Sequence, residues 1–448
     1  MKVDSVLDLI GDTPLVRIPA SVTGLRHIDL YAKLEMLNPF GSVKDRAAKA
    51  MVAPRLQEAA DQQRTVIELS SGNTAKALAV IASMHGLPFT SITNRMKVPE
   101  IKDLLVLLGA RIEELPGQAE CLDPTDTDDP LARIHQQISA DKDRYLHTDQ
   151  YFNERNIDAH VQGTGPEIVA DLGGAPDHFI ACVGTAGSST GVARVLRRHR
   201  DDVDVHGLVA AKGDFVPGIR TWDEVHEVGL FDPANYDSIA SVSAEESLDG
   251  MMTLIRRCGI LSGPTGGGAY SGAIRHLADI DDELDAAPEP ERRTAVFIVC
   301  DRAESYLGYV RNRRPSLLAQ PEPEGSVTGL SADELAAVPA HTVQDAQDWI
   351  ARDSPTIIDL RTSFAFRNGH IEGSINIVDE VFGDLLRSGL PIAAEREALL
   401  VCPVGDKSRR YAAAMRRLGH HRVRSLDGGI VAWRDAGAGL ARVKAVAP

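Results

Sequence analysis

The chain has 448 residues, 43% of them hydrophobic and 25% charged, and a formal net charge of -16 at pH 7. The length predicts two or three domains, and the acidic balance argues against a nucleic-acid or anionic-membrane partner, since both attract a basic surface. No apolar run reaches the roughly 20 residues of a membrane span, and the N-terminus lacks a signal peptide's basic start, so we expect a cytoplasmic protein.

Short apolar runs alternate with helical patterns from residue 1 to about 314. TVIELS (65–70) precedes a helical stretch at 73–86, and HFIACV (178–183) precedes another near 188–199. This alternation predicts an α/β fold of βαβ units around mostly parallel sheets.

A stretch rich in proline, glycine, serine and charge follows, RRPSLLAQPEPEGSVTGLSADE (313–334). It predicts an exposed linker over 315–339; the alternative is a surface loop inside one domain. TIIDL (356–360), ALLVC (398–402) and a helical pattern at 408–419 then predict a small α/β domain over 340–448.

Three stretches of the first domain, residues 1–314, indicate one kind of chemistry. Lys44 follows a Pro/Gly turn in LEMLNPFGSVKDRAA (34–48) and opens a helical pattern. SSGNT (70–74) starts a helix with hydroxyls and N–H groups that suit a carboxylate. GTAGSSTG (184–191), neither a Walker loop nor GxGxxG, has glycines that let N–H groups approach a phosphate. A reactive lysine with these two anion sites indicates pyridoxal 5'-phosphate.

Residues 1–312 resemble the fold-type II pyridoxal-phosphate enzymes, and most of all the cysteine synthases. PGIRTW (217–222) and IVCDR (298–302) resemble the B-type branch, which uses thiosulfate. The stretches that match in family order are IGDTPLVRI (10–18), NPFGSVKDRAA (38–48), SSGNT, TGPEI (164–168), GTAGSSTGV (184–192), PGIRTW, SGPTGGGA (262–269) and IVCDRAESYL (298–307).

The resemblance implies a role for each matching residue. Lys44 would hold the cofactor as a Schiff base and move the Cα proton. The other cofactor contacts would be Asn73 at the phenolic oxygen, Thr265 at the pyridine nitrogen, and Gly184, Thr185, Ala186, Gly187 and Ser188 around the phosphate. The substrate contacts would be Ser70, Ser71, Thr74 and Gln150 at the amino-acid carboxylate, and Arg220 at an anionic sulfur donor.

Several positions depart from the family pattern. Ala75 and Ala186 stand where the family usually has glycine, and Thr221 where the B-type enzymes place a second arginine. A hydroxyl at Thr265 implies a moderate electron sink, which favours β-elimination. We expect the reaction class to be the same despite these changes, whereas the substrate stays open. The alternative for Arg220 is an ordinary surface arginine.

Cys402 ends an apolar strand in VCPVGDKSRR (401–410) and precedes a tight loop and a helix. Loop N–H groups, the helix dipole and Lys407 would favour a thiolate and its persulfide. The alternative is a buried strand-end thiol. The stretch resembles the rhodanese active loop, as do IIDLRTSFAFRNGHIEGSINI (357–377) and LDGGIVAW (426–433). Cys402 would then carry sulfur in a cradle of Pro403, Val404, Gly405, Asp406, Lys407 and Ser408.

The remaining cysteines and histidines have no chemistry assigned. The five cysteines lack CxxC spacing, so we predict neither disulfides nor a metal site. Cys182, Cys258 and Cys300 are expected to be buried small hydrophobes, and Cys121 has no role. Asp359, Arg361 and His370 are expected to be structural, and the other histidines show no metal-ligand spacing. These residues therefore do not alter the functional prediction.

The sequence predicts a pyridoxal-phosphate-dependent transferase with a sulfurtransferase domain. It would replace the β-substituent of O-acetylserine or O-phosphoserine with sulfur from thiosulfate or a persulfide, giving cysteine or a close analogue. The alternatives are a cysteine β-lyase that passes released sulfur to Cys402, and a C-terminal domain that only binds partners. The expected partners are a small amino acid, a sulfur donor, which includes a sulfur-donor protein as a candidate, and a second copy in a homodimer.

Overall fold

A computed structural model describes residues 2–94, 96, 98–115, 130–318 and 329–443. The chain divides into two units, residues 1–318 and 319–448, each with hydrophobic clusters of its own. No described helix combines the length and apolarity that a bilayer crossing requires.

The strands of the first unit form two sheets. In chain order they are β1 (Leu15–Arg17), β2 (Ile28–Lys33), β3 (Thr65–Leu69), β4 (Phe89–Thr93), β5 (Arg111–Glu114), β6 (Tyr145–His147), β7 (His178–Cys182), β8 (Asp204–Ala210), β9 (Ser238–Val242) and β10 (Arg293–Ile298). One sheet has the order β1-β2-β10-β7-β8-β9, in which β1 is antiparallel to β2 and the other pairs are parallel. The other, β5-β4-β3-β6, is parallel throughout.

Helices alternate with these strands, which confirms the predicted α/β class. They are α1 (Ala20–Thr23), α2 (Lys44–Val52), α3 (Leu56–Asp61), α4 (Asn73–Met84), α5 (Pro99–Leu107), α6 (Pro130–Ala140), α7 (Arg155–Ala159), α8 (Gly165–Leu172), α9 (Gly187–His199), α10 (Trp222–Val225), α11 (Ala244–Cys258), α12 (Pro264–Asp285) and α13 (Leu307–Arg313). Central strands such as β4 and β7 are buried on both faces, as parallel strands between helices are. Their apolar runs are therefore continuous rather than alternating.

The second unit is a five-stranded parallel sheet with helices. Its strands are β11 (Ala340–His341), β12 (Thr356–Asp359), β13 (Ile375–Asn376), β14 (Ala398–Val401) and β15 (Val423–Leu426), in the order β11-β15-β14-β12-β13. Its helices are α14 (Ala332–Ala336), α15 (Val343–Asp353), α16 (Ser363–Asn368), α17 (Asp379–Ser388), α18 (Asp406–Arg417) and α19 (Gly429–Asp435). The central strand β14 is buried along its whole length and delivers Cys402 to the carboxyl edge of the sheet.

The predicted linker, 315–339, contains described structure at both ends, while residues 319–328 lie outside the described residues. Pro315–Leu317 form a 3₁₀ turn at the end of the first unit. Ser331 and Glu334 form a capping box at α14, and Arg417 of α18 lies 2.8 Å from a Glu334 carboxylate oxygen. Residues 331–336 therefore form a short capped helix, which a polar, serine-rich stretch also suits. The ion pair with Arg417 holds this helix against the rest of the second unit.

Candidate active sites

A cavity of about 360 Å³ opens where loops leave the carboxyl ends of β3, β6 and β7. Loops after parallel strands meet at one edge of a sheet, which is where α/β proteins bind ligands. The cavity brings together most of the residues predicted from sequence: Lys44, Ser70, Ser71, Asn73, Thr74, Gln150, Gly184, Thr185 and Arg220.

Lys44 is the first residue of α2 and faces this cavity. Burial lowers the pKa of its ammonium group, and the nearby Cys300 and Asp301 side chains oppose that shift. A lysine with a lowered pKa supplies neutral amine more readily, which is the form that attacks a carbonyl group. The position and the environment both suit a covalent attachment point.

Asn73 begins α4 and is held by residues from the distant end of the first unit. Its Nδ2 donates to Asp301 Oδ2 at 2.7 Å and to Tyr306 Oη at 3.1 Å, and Tyr306 Oη donates to the same carboxylate oxygen at 2.5 Å. Asn73 Oδ1 is buried and has no partner among the described residues. Buried polar atoms are normally paired, so this amide has one position left for a bound group.

The loop between β7 and α9 is shaped to let its backbone approach a ligand. A Cβ atom on Gly184 would lie 2.5 Å from the Gly218 carbonyl oxygen, and one on Gly187 would lie 2.1 Å from Asn156 Oδ1. Ala186 adopts φ +61° at the N-cap of α9, which explains why glycine is usual there. The first N–H groups of this 13-residue helix lack helical acceptors and suit a phosphate.

The predicted carboxylate site is a locked hydrogen-bond network. Thr74 Oγ1 donates to Gln150 Oε1 at 2.7 Å, and Gln150 Nε2 donates to the Leu69 carbonyl at 2.6 Å. Ser70 Oγ accepts from the Ala75 N–H at 3.1 Å and so caps the first turn of α4. Rigid hydroxyl and amide groups at a helix N-terminus can hold a carboxylate in one orientation.

Some predicted residues do not line the cavity. Ala186, Gly187 and Ser188 stand behind it at the start of α9, with Gly184 and Thr185 between. Thr265 is 3% exposed and donates from Oγ1 to the Pro217 carbonyl at 2.5 Å, so its hydroxyl is already engaged. The lining includes both Pro217 and Gly218 beside it.

Sequence reasoning missed the residues that position these groups. Asn156 donates to the Gln150 carbonyl at 2.8 Å and to Thr185 Oγ1 at 3.0 Å, which joins the carboxylate and phosphate regions. The guanidinium carbon of Arg220 lies 4.9 Å from the centre of the Tyr151 ring, which holds the arginine at the cavity wall. Two of these positioning residues could have been found from the sequence, because Tyr151 directly follows Gln150 and Asp301 lies within the IVCDR stretch.

The first site fits pyridoxal phosphate. A lysine at the cavity, an unpaired buried amide oxygen and a loop whose glycines approach other backbone this closely are what such a cofactor needs. Lys44, Asn73 and the 184–188 loop would hold it.

In the second unit, Cys402 follows β14 and is 1% exposed. Its Sγ accepts from the Gly405 N–H at 3.1 Å, and Ser408 Oγ lies 3.3 Å away. Gly405 has φ +94° at the N-cap of α18, where only glycine fits readily. The sulfur therefore lies against the N-terminus of α18, within reach of a backbone N–H and a hydroxyl group.

The predicted cradle of residues 403–408 is only partly in contact with the sulfur. Gly405 and Ser408 reach it, whereas Pro403, Val404 and Asp406 are exposed. Lys407 forms an ion pair with Asp379 and is largely exposed, so its charge acts on the thiol from a distance. The backbone of the loop is also fixed to the start of α19, because Ile430 donates its N–H to the Cys402 carbonyl at 2.9 Å.

Asp359, Arg361 and His370 build the frame of the second unit. Arg361 Nη2 lies 2.6 Å from Asp359 Oδ2 and donates to the Gly369 carbonyl at 2.7 Å. His370 stacks on Phe366 with ring centroids 4.0 Å apart and hydrogen-bonds the Phe366 carbonyl. None of these three residues contacts Cys402 in the described contacts, which agrees with the structural reading.

Arg361→Gln is expected to destabilise the second unit by about 3 kcal/mol, because it leaves the Asp359 carboxylate buried without its counter-ion. Trp349 and Trp433 are buried in this unit, so the red shift of tryptophan emission in urea reports its unfolding. Arg352→Gln is the control, since its ion pair with Asp353 is exposed to solvent and should contribute little to stability. Equal midpoints for the two variants would contradict the structural role.

A histidine group escaped the sequence prediction. His178 Nδ1 lies 2.9 Å from Asp204 Oδ2, and His276 Nε2 lies 2.6 Å from the same oxygen. His178 and Asp204 are register partners at the start of β7 and β8, so the sheet, not sequence spacing, brings them together. Burial raises the pKa of Asp204, but the hydrogen bonds from both histidines outweigh it and lower that pKa. The ligand atoms of the three side chains lie within 4.8 Å of one another, a spacing at which they could hold a metal ion, and His178 Nε2 is buried without a partner among the described residues.

The other described cysteines are partly buried rather than fully buried as predicted. Burial raises the pKa of all three thiols, that of Cys300 to about 12. They are therefore poor nucleophiles, in contrast to Cys402 at its helix N-terminus. Cys121 lies outside the described residues.

Comparison with known proteins identifies a family for each part of the chain. Residues 6–301 match the family described as pyridoxal-phosphate dependent enzyme, and residues 342–436 match the rhodanese-like domain. Cysteine synthase B of Pseudomonas aeruginosa is 33% identical over 304 residues, which cover 68% of this chain and 95% of that protein. N-(2-amino-2-carboxyethyl)-L-glutamate synthase of Ralstonia nicotianae is 33% identical over 318 residues, 69% of this chain and 90% of that one.

A solved structure is similar over the same region. The hydrogen sulfide-producing enzyme of Fusobacterium nucleatum superposes with a TM-score of 0.59 at 26% identity, covering 68% of this chain and all of that one, 100%.

Proposed function

We propose that this chain catalyses β-replacement on an activated serine with sulfur. The chain belongs to the pyridoxal-phosphate dependent enzyme family and also carries a rhodanese-like domain. The serine would be O-acetylserine or O-phosphoserine. Thiosulfate would add at Cβ to give S-sulfocysteine as acetate or phosphate leaves, whereas the outer sulfur of a Cys402 persulfide would need a thiol reductant to release it as sulfide before it adds. The observation that carries the proposal is the single cavity that holds Lys44, the Thr74–Gln150 network and Arg220. The similarity to a cysteine synthase B supports a product that is cysteine or a close analogue.

Bound pyridoxal phosphate supplies an electron sink that acidifies the Cα proton and lets the β-substituent leave. Lys44 would hold the cofactor covalently and then accept the Cα proton at Nζ, for which its lowered pKa suits it. Ser70, Thr74 and Gln150 would hold the carboxylate so that the Cα proton faces this lysine. Arg220 would bind the incoming anion through charge-assisted hydrogen bonds.

The rhodanese-like domain supports the sulfur-carrier part of the proposal. A thiol held by the Gly405 N–H can attack the sulfane sulfur of thiosulfate, forming the S–S bond of a persulfide as sulfite leaves. Because both sites belong to one chain, tethering would raise the local concentration of the Cys402 sulfur carrier, provided the linker lets the two sites meet. We also propose that the protein is a cytoplasmic homodimer and that a sulfur-donor protein is a candidate partner.

The experiment that tests the proposal supplies holoenzyme with O-acetylserine or O-phosphoserine, and with thiosulfate or sulfide. Mass spectrometry of the products is expected to show a serine skeleton with sulfur at Cβ and loss of acetate or phosphate. Unreacted serine derivatives with every sulfur donor would refute β-replacement.

Arg220→Gln is expected to raise KM for thiosulfate by about 10- to 100-fold, the loss of one charge-assisted interaction. The KM for sulfide, which offers no oxygen acceptors to the guanidinium, should change by less than about threefold. Arg194→Gln is the control, because Arg194 is exposed, pairs with Glu154 and does not line the cavity. An equal rise for both sulfur donors would show that Arg220 only supports the fold.

The lyase alternative has one observation in its favour, the structural similarity to a hydrogen sulfide-producing enzyme. In that reaction no nucleophile is added, and cysteine alone would give pyruvate, ammonia and sulfide. Pyruvate formation from cysteine at a rate above that of β-replacement would make the lyase the better assignment. We favour β-replacement because Arg220 offers a place for an anionic sulfur donor.

A further inference from the structure

A second cavity, of about 390 Å³, lies in the first unit and shares no lining residue with the active site. Its wall comes from the segments beside β3 and β6. The residues that matter chemically are Arg55, Arg64, Lys142, His147 and Asp149. A volume of this size accommodates a small metabolite.

The cavity has an excess of positive charge. Arg55, Arg64 and Lys142 contribute three cations, and Asp149 is the one carboxylate in the described lining. Burial lowers the pKa of His147 to about 4, so its ring is neutral at pH 7. Glu58 lies 3.0 Å and Asp143 lies 4.0 Å from Arg64 Nη2, and both carboxylates offset part of that charge from outside the lining. The wall therefore favours a ligand with net negative charge.

Three buried polar atoms on this wall lack partners among the described residues: Arg64 Nε, His147 Nε2 and Asp149 Oδ1. Arg64 Nε is a donor, and Asp149 Oδ1 is an acceptor when that carboxyl group is ionised. Such atoms are normally satisfied, so their concentration in one cavity points to a ligand that offers both acceptors and a donor. A simple anion would pair with the arginine but would meet the Asp149 carboxylate with like charge.

We propose that this cavity binds an acidic α-amino acid as an effector, distinct from the active-site substrate. Its carboxylates would pair with Arg64 and with the cations of Arg55 and Lys142, and its ammonium group would donate to Asp149 Oδ1. This assignment satisfies the unpaired donor and the unpaired acceptor together and matches the charge of the wall.

A buried carboxyl group connects this cavity to the active site. Glu68 accepts hydrogen bonds from Thr148 Oγ1, which lines the second cavity, and from the Gln150 N–H at 3.3 Å. His147 Nε2 lies 4.0 Å from the other Glu68 oxygen. Gln150 belongs to the proposed carboxylate site, so a ligand that contacts residues 147–149 would change substrate affinity. This regulatory part rests on the proposed function, whereas binding itself does not.

The test is calorimetric titration of L-glutamate into the cofactor-loaded full chain, with the cofactor's absorption spectrum recorded in parallel. L-glutamate is expected to release or absorb heat at concentrations that leave the spectrum unchanged, because a ligand in the active site would perturb it. Arg64→Gln should weaken this binding at least about tenfold, as expected for a lost charge-assisted bond. Arg133→Gln, an exposed arginine outside the cavity, should bind like the native protein.

Two further comparisons decide the ligand class. Glutarate has both carboxylates of glutamate but no ammonium group. It should therefore bind more weakly than glutamate to the native protein, whereas the two ligands should bind equally well to Asp149→Asn. Asparagine suits position 149, where φ is +55°. Inorganic phosphate that binds as tightly as glutamate would overturn the amino-acid assignment in favour of a simple anion site. Absence of heat, equal heats in Arg64→Gln, or a spectral change that accompanies the heat would overturn the second site.

The regulatory consequence is measured separately, as KM and kcat for O-acetylserine with and without L-glutamate. We expect KM to change by about threefold or more at constant kcat in the native protein, and no change in Arg64→Gln. Unaltered kinetics despite calorimetric binding would overturn the effector role. Failure of β-replacement itself would remove this readout alone, and the calorimetry would still decide the site.

Discussion

Lys44→Ala is expected to abolish the visible absorption band of lysine-linked pyridoxal phosphate and to lower β-replacement by at least about 10³-fold. The substitution removes both the covalent attachment and the group that accepts the Cα proton. Lys212 is the only other described lysine that lines the cavity, and its side chain is exposed at the cavity rim. Absorption spectra and steady-state rates of the cofactor-saturated variant make the measurement.

Lys49→Ala is the matched control for this prediction. Lys49 lies on the same helix, α2, but its Nζ donates to the Leu7 carbonyl at 2.8 Å and does not line the cavity. Its replacement should keep the absorption band and change kcat by less than about threefold, since surface-type hydrogen bonds are weak. Retention of the band in Lys44→Ala would contradict the assignment of Lys44.

Cys402→Ser is expected to lower thiosulfate:cyanide sulfurtransferase activity by about 10³-fold or more, as loss of a covalent nucleophile does. A serine hydroxyl cannot form a persulfide, although it can keep the hydrogen bond from the Gly405 N–H. The fold should therefore persist while the sulfur chemistry is lost. The same protein should still use sulfide for β-replacement in the first unit.

The control for this variant is Cys258→Ser, which replaces a partly buried thiol in the first unit. Burial raises the pKa of Cys258, and the residue lies at the C-terminal end of α11, where a thiolate is not favoured. Sulfurtransferase activity should be unchanged. Full activity in Cys402→Ser would leave the second unit as a binding module, the alternative that the sequence left open. A slower thiosulfate-dependent β-replacement in Cys402→Ser, with sulfide use intact, would support sulfur transfer through Cys402.

Local motifs carried most of the prediction for the two reactive residues. Lys44 follows a Pro/Gly turn before a helix, and Cys402 lies between an apolar strand and a glycine N-cap; both arrangements span only a few residues. The structure agrees with both, because helix starts and parallel strand ends are determined by short-range propensities and hydrogen bonding. Burial of the other cysteines was overestimated, because all three lie at or just beyond the ends of elements, Cys182 at the end of β7, Cys258 at the end of α11 and Cys300 after β10.

The sequence by itself determined the α/β class, the two families and the glycines at positions 184, 187 and 405, because these depend on contiguous residues. Only the tertiary structure decided how the site is held together. Asn73 is positioned by Asp301, 228 residues away, and Gln150 by Thr74, 76 residues away. Sheet order sets such pairs, and no local pattern encodes them. The same is true of the second cavity, where unpaired atoms from the start of β3 and the end of β6 face one space. An unpaired buried atom is defined by what surrounds it, and those surroundings exist only once the chain has folded.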